Sequence, residues 1–214
     1  MLDKYITPVI TPLLTPAVAA LYKRGVTPDQ LTVIGFLIGL LAVPLIALQI
    51  WDGALVAIVL NRIFDGLDGA LARHANLSSS AGGFLDITLD FLFYAAIPLG
   101  FILANPEQNA IAGAILLAAF IGTGSSFLAF AIAAEKFNLT KPQFKYKSFY
   151  YLNGLTEGTE TIALFIAFCI WPQHFAMMAT LFAIACAITI FTRIHGGYHT
   201  LKQQATNECR ADHD

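Results

Sequence analysis

Six long apolar stretches constrain this chain more than any other feature: residues 31–50, 54–73, 83–104, 108–134, 155–171 and 174–194. A helix needs roughly 20 mostly apolar residues to cross the hydrocarbon core of a bilayer. Only backbones that satisfy their own hydrogen bonds persist there. The pattern therefore predicts an all-α polytopic membrane protein with six transmembrane helices. Composition agrees, with 57% of the 214 residues hydrophobic, 12% charged and a mean hydropathy of +0.68. A water-soluble globule of 23.1 kDa could not hide that much apolar surface, which excludes a soluble enzyme, a disordered chain and a nucleic-acid binder.

Basic residues orient the helices. All twelve sit at the N-terminus (Lys4, Lys23, Arg24), towards the end of the second stretch (Arg62, Arg73), in loop 135–150 (Lys136, Lys141, Lys145, Lys147), or near and after the end of the sixth (Arg193, Lys202, Arg210). With an even number of crossings these places share one side, while the opposite loops hold only Asp52 and Glu107. The positive-inside rule then puts both termini in the cytoplasm. Residues 1–25 mix Pro8, Pro12 and Pro16 with apolar residues, a pattern that fits a broken amphipathic segment on the membrane face and a loose tail equally well. Met1-Leu2-Asp3-Lys4 lacks the pattern of a signal peptide. Cys169, Cys186 and Cys209 have no metal-like spacing and imply no disulfide framework. The chain reads as one domain over 1–214, with 195–214 as a cytoplasmic tail.

Four acids interrupt the apolar pattern. Asp65 and Asp68 lie three apart in the second stretch, and Asp86 and Asp90 lie four apart in the third. On a helix either spacing places both side chains on one face. Asp65 is eight residues from Arg73, and Asp90 is seven from Gly83, so a rise of about 1.5 Å per residue keeps both pairs within about 12 Å of the cytoplasmic ends. Ionised carboxylates are costly in a membrane and repel one another. Hard divalent cations, which prefer carboxylate oxygens, offset both costs, and two of them would balance four negative charges. A further anionic ligand then fits, and phosphate is the usual partner of protein-bound Mg²⁺. Arg73 offers a planar fork to a phosphate. Gly69, Gly82 and Gly83 would let a ligand approach the backbone closely. Intramembrane acids also mark ion and proton paths, so a membrane cation transporter or channel is the rival reading; it expects acids spread through the membrane's depth. A prenyltransferase-like enzyme, a second rival, would need a longer chain.

The pattern Asp65-x2-Asp68-Gly69-x2-Ala72-Arg73-x8-Gly82-x3-Asp86-x3-Asp90 resembles the signature of the CDP-alcohol phosphotransferase family, also called CDP-alcohol phosphatidyltransferases. The resemblance implies six spans, an N-terminal surface helix, a homodimer and a bacterial inner membrane. It also implies a reaction: a phosphatidyl group passes from CDP-diacylglycerol to a small alcohol, with release of CMP, in phospholipid biosynthesis. Two Mg²⁺ or Mn²⁺ ions would be held by Asp65, Asp68, Asp86 and Asp90, with Asp65 and Asp86 touching both. Asp90 would also take the acceptor's proton. Gly69, Arg73, Ser79 and Gly82 would meet the donor. The segment Asp29-Gln30-Leu31-Thr32 would meet its cytidine end, where relatives often carry Asn in place of Asp29.

The acceptor is less legible. Glu157 and Glu160 share a face at the start of the fifth stretch and read either as an acceptor wall or as helix-start acids near the positive dipole. Lys147-Ser148 is a further candidate. Arg193 reads as an interfacial anchor or as a phosphate ligand. Gly122-Thr123-Gly124-Ser125-Ser126 reads as a close-packing face, inside the subunit or between two copies.

Overall fold

The computed structural model describes residues 14–136 and 156–211, and the described part is helical throughout apart from short connections. Helix α1 covers residues 14–23, followed by α2 (Pro28–Leu40), α3 (Ala42–Ala47), α4 (Trp51–Ala75), α5 (Ser80–Ala104), α6 (Pro106–Lys136), α7 (Gly158–Ile170) and α8 (Phe175–Ala211). A 3₁₀ turn, Pro172–His174, joins the last two. Lys4, Pro8, Pro12, Lys141, Lys145, Lys147 and Ser148 lie outside the described residues.

Sequence chemistry explains the helix ends. Thr27 and Gln30 form a reciprocal capping box and Pro28 takes the first helical position, so α2 starts three residues earlier than hydropathy alone predicts. The first apolar stretch is not one helix. Pro44 has no amide hydrogen and its ring crowds the carbonyl one turn back, so the helix tightens at Leu41, whose amide bonds Ile38 O at 3.1 Å, before α3 begins. Helix α7 starts later than expected, at Gly158, because Glu157 is extended (φ −115°, ψ −175°).

Four helical segments are long and apolar enough to cross a membrane: Pro28–Ala47, Ser80–Ala104, Pro106–Lys136 and Pro172–Gln203. Helix α4 has 25 residues, enough in length, but its carboxylates and arginines lower its hydropathy. Helix α7 is apolar but only 13 residues long. The outside of the bundle is greasy: Phe84, Ile111, Ile121 and Phe191 are all more than 70% exposed. Large apolar surfaces of this kind are stable facing lipid, not water.

The core holds the site in place. Phe93, Phe101, Phe165, Phe168 and Phe175 are fully buried and stack or meet edge to face, tying α5 to α7 and α8. A smaller cluster of Val18, Leu31, Ala70 and Leu71 docks α1 against α2 and α4. Helix α2 packs against both α4 and α5, so it wedges between the two acid-bearing helices. The small-residue stretch of α6 is a packing face within the subunit. A Cβ on Gly122 would stand 2.5 Å from Ile190 of α8, and one on Gly124 would stand 2.8 Å from Phe91 of α5.

Candidate active site

The turn between α4 and α5 is built for a close return. Asn76 adopts a left-handed conformation (φ 53°) that ends α4, a role Asn tolerates better than most residues. Ser79 then caps α5 by accepting from Gly82 N at 3.0 Å. The four acids follow within three turns on either side.

One carboxylate oxygen from each of Asp65, Asp68 and Asp86 lies within 4.8 Å of the other two. Metal–oxygen distances for Mg²⁺ and Ca²⁺ run from about 2.0 to 2.6 Å, so ligands of a single ion lie at most about 4–5 Å apart. The trio therefore fits the shell of a hard divalent cation, in both spacing and donor chemistry. Asp68 is buried and pre-oriented. Thr32 Oγ1 lies 2.6 Å from Asp68 Oδ2 and 3.1 Å from Pro28 O, and its one proton goes to the closer carboxylate.

Asp90 stands apart from the trio while lining the same small cavity. Arg62 Nη2 donates to its Oδ1 at 2.6 Å, and the Tyr94 hydroxyl donates to its Oδ2 at 3.3 Å. Arg62 also reaches Asp65 Oδ2 at 3.4 Å. Its Nε donates to Asn61 Oδ1 at 2.9 Å, and Asn61 Nδ2 in turn donates to Gly35 O at 3.0 Å. The guanidinium lies 5.5 Å from the centre of the Phe93 ring and 5.8 Å from that of Tyr94, within cation–π range. One forked side chain thus touches two of the four acids.

Asp29, Thr32, Gly69, Arg73, Ser79 and Gly82 all line one cavity of about 200 Å³, together with Asp68 and Asp86. Close approaches explain two of its glycines. A Cβ on Gly82 would stand 3.1 Å from Asp29 Oδ1, and one on Gly69 would stand 3.3 Å from Arg73 Nη1. Arg73 has no ion-pair partner among the described residues. A larger groove of about 730 Å³ starts at the four acids and runs along apolar residues of α4 and α7, including Val59, Ile63, Ile162 and Ile166. A hydrophilic pocket and a greasy groove thus meet at the carboxylates.

The profile of the CDP-alcohol phosphatidyltransferase family matches residues 25–192. The chain belongs to this family. It is accordingly an enzyme of phospholipid synthesis, with a multi-pass helical membrane fold. The inner membrane protein YnjF of Escherichia coli is 60% identical over 94% of this chain and 98% of its own length. A phosphatidylinositol phosphate synthase of Mycobacteroides abscessus is 29% identical over 84% of this chain and 81% of its own. Among solved structures, the phosphatidylinositol phosphate synthase PgsA1 of Mycobacterium tuberculosis with CDP-DAG bound shares the fold. Its TM-score is 0.63 at 22% identity, over 86% of this chain and 92% of that one. The same protein with manganese and citrate gives 0.64 at 21% identity, over 86% and 88% of the respective chains.

Two acceptor-side expectations change. Arg193 is not a lipid-facing anchor: it is half-buried, donates to Thr123 O at 3.1 Å and lies 5.6 Å from the centre of the Phe127 ring. The two acids at the start of α7 cap it reciprocally: Glu160 accepts from Glu157 N at 3.3 Å and the Glu157 side chain accepts from the Glu160 amide, while Glu157 also lines an internal cavity.

Proposed function

We propose that the protein transfers the phosphatidyl group of CDP-diacylglycerol to the hydroxyl of a small alcohol, releasing CMP, at the cytoplasmic face of a bacterial inner membrane. The observation that carries this reading is the convergence of Asp65, Asp68 and Asp86 within 4.8 Å on the wall of the cavity that Arg73 and Ser79 also line. The names of the relatives support the donor, the membrane and the use of a divalent ion.

In this reading Asp65, Asp68, Asp86 and Asp90 would hold two Mg²⁺ or Mn²⁺ ions, which would supply positive charge to the diphosphate and to the departing CMP. Asp29 and Thr32 meet the cytidine end. Gly69 and Gly82 let the diphosphate lie against the backbone, and Arg73 and Ser79 bind its oxygens. The greasy groove takes the acyl chains. Asp90 accepts the acceptor's proton as the new oxygen–phosphorus bond forms, the stage at which a weak base is effective. Arg62 and Tyr94 fix its direction.

The remaining architecture follows the same reading: one domain over 1–214, six spans, residues 1–25 on the membrane surface, both termini cytoplasmic, and a homodimer. Segment 195–214 forms a cytoplasmic tail, and its described part, to Ala211, continues α8.

The test supplies purified protein in detergent with CDP-diacylglycerol, Mn²⁺ and a panel of small alcohols, and measures CMP. The expected result is alcohol-dependent CMP release that disappears on chelation and in Asp86→Asn. Release that persists in Asp86→Asn or in EDTA would overturn the site.

A further inference from the structure

The guanidinium of Arg62 lies between two of the acids. Its Nη2 donates to Asp90 Oδ1 at 2.6 Å, and its Nη1 lies 3.4 Å from Asp65 Oδ2. In the two-ion reading Asp90, Asp65 and Asp86 would hold the second ion, so Arg62 binds two of that ion's three carboxylates. Space points the same way. The cavity that all four acids line has a volume of about 10 Å³, little more than one water-sized sphere. Asp65, Asp68 and Asp86 are spaced for one ion. With Arg62 in its observed place, little room is left beside that ion for another.

Charge sets an order of filling. Among the described residues Arg62 is the one cation on the wall of this cavity, against four carboxylates. One divalent ion and the guanidinium leave the four carboxylates with a single negative charge in excess. Two divalent ions and the guanidinium reverse that excess, and Arg73 in the adjoining cavity adds to it. Sharing the Asp90 oxygen would bring the second ion within about 5 Å of the guanidinium, where like charges repel strongly. A diphosphate in the cavity that Arg73 lines supplies the negative charge that makes a second ion favourable. The Arg62 side chain is also built to let go at its tip. Nε donates to Asn61 Oδ1 at 2.9 Å, and Asn61 is tied in turn to Gly35 O. The ring faces of Phe93 and Tyr94 flank the guanidinium. The two Nη atoms can therefore leave the acids while Nε and the rings keep the cation housed.

We propose that Arg62 is a positioning residue that stands in for the second divalent ion until the donor arrives. The donor-free protein takes one ion, at Asp65, Asp68 and Asp86. Arg62 gives up Asp65 and Asp90 to a second ion only when the donor's diphosphate is in place. The inference rests on the phosphatidyltransferase reading and adds an order of assembly to it. Before loading, Arg62 and Tyr94 hold the two oxygens of Asp90 in line. On loading, Asp90 exchanges the guanidinium for the ion at Oδ1 and keeps Tyr94 at Oδ2, so the direction that Arg62 gave it is retained.

The experiment counts the Mn²⁺ bound to full-length purified protein in detergent, read from the paramagnetic resonance signal of the free ion. It is run with and without CDP-diacylglycerol, and with no acceptor alcohol present. The native protein should hold one ion tightly without donor and two with it. In donor-free Arg62→Met the second ion should bind at least about tenfold more tightly than in the donor-free native protein, because the repelling charge is gone. Arg62→Lys keeps the charge and loses the fork that spans two acids, so its donor-free second ion should bind with an affinity between those two. The native protein alone decides the order of filling, even where Arg62→Met fails to fold. Two ions of similar affinity in the donor-free native protein, or a single ion with and without donor, overturn the inference and leave the transferase standing. Equal second-ion affinities in donor-free native protein and Arg62→Met also overturn it, since Arg62 then serves packing alone. No bound Mn²⁺ in any sample removes the metal site of the transferase reading and the inference with it.

Discussion

Arg62 Nη2 lies 2.6 Å from Asp90 Oδ1, so a cation on α4 holds the acid of α5 that stands outside the metal-like trio. The two side chains are only 18% and 28% exposed, which gives the pair weight that a surface ion pair lacks. Removing one partner of a shielded pair leaves the other without its counter-charge. Arg62→Met should therefore destabilise the metal-free protein by up to about 3 kcal/mol. Mn²⁺ should restore most of this loss, because a divalent cation among the acids replaces the missing positive charge. Thermal unfolding in EDTA and in Mn²⁺ checks both halves. Equal losses in the two buffers would mean that Arg62 serves packing alone.

Asp90 is the acid whose orientation these contacts fix, with Oδ1 on Arg62 and Oδ2 on Tyr94. Asp90→Asn keeps the shape and removes the basic oxygen. Turnover should fall by at least about 100-fold, the usual contribution of a positioned base, while CDP-diacylglycerol still binds. Parallel measurements of donor binding and CMP release separate these effects. Near-normal turnover would assign proton removal to another group.

How much of this was legible beforehand depended on the distance over which each cause acts. The acid spacings of three and four residues are local helix geometry, and they put Asp65 with Asp68 on one face of α4 and Asp86 with Asp90 on one face of α5; the meeting of Asp86 with the α4 pair depends on how the helices pack. Pro44 and Gly158 are local signals too, and a closer reading of either would have shortened α2 and α7. Arg62 was discoverable as well, since it lies three residues before Asp65 and shares its face. The sequence singled out Arg193 but left it either an anchor or a phosphate ligand. A cation at a helix end looks like an anchor until the packing of α8 on α6 turns it towards Thr123. The wedging of α2 between the acid-bearing helices is likewise a tertiary fact that no spacing encodes.

Thr32 offers a sharper test of the trio. Its hydroxyl lies 2.6 Å from Asp68 Oδ2, and partners that orient ligands in this way typically contribute 10- to 100-fold in metal affinity or activity. Thr32→Val retains the volume and removes the donor. Half-maximal activation should need about tenfold more Mn²⁺, with little change at saturating metal. A shift in donor KM without a shift in metal dependence would place Thr32 with the nucleotide instead.

Arg73 lines the 200 Å³ cavity beside Gly69, five residues beyond Asp68 on α4. A charge-assisted hydrogen bond from its guanidinium to a phosphate is worth about 1.5–3 kcal/mol, or roughly 10- to 100-fold. Arg73→Ala should raise the donor KM by that factor, and Arg73→Lys should recover only part of it, because an ammonium lacks the fork. Steady-state kinetics over donor concentration decide the matter, and unchanged donor kinetics in the alanine variant would remove the phosphate role.

The last prediction concerns the wedge that brings Thr32 to Asp68. Gly35 is buried where α2 crosses α4, and a Cβ there would stand 2.7 Å from Phe64 Cβ, a neighbour fixed to its own backbone. No rotamer change can make room, so Gly35→Ala must push the helices apart. Overpacking of this kind costs about 1–3 kcal/mol. The carbonyl of Gly35 also accepts from Asn61, whose Oδ1 steadies Arg62, so the displacement reaches the acids through that chain. The variant should unfold at a lower temperature and need more Mn²⁺ for activity. Gly83→Ala, on α5 where a Cβ would meet nothing within 4 Å, should leave the unfolding temperature unchanged. If both variants melt alike, the α2–α4 crossing has slack that this packing does not show.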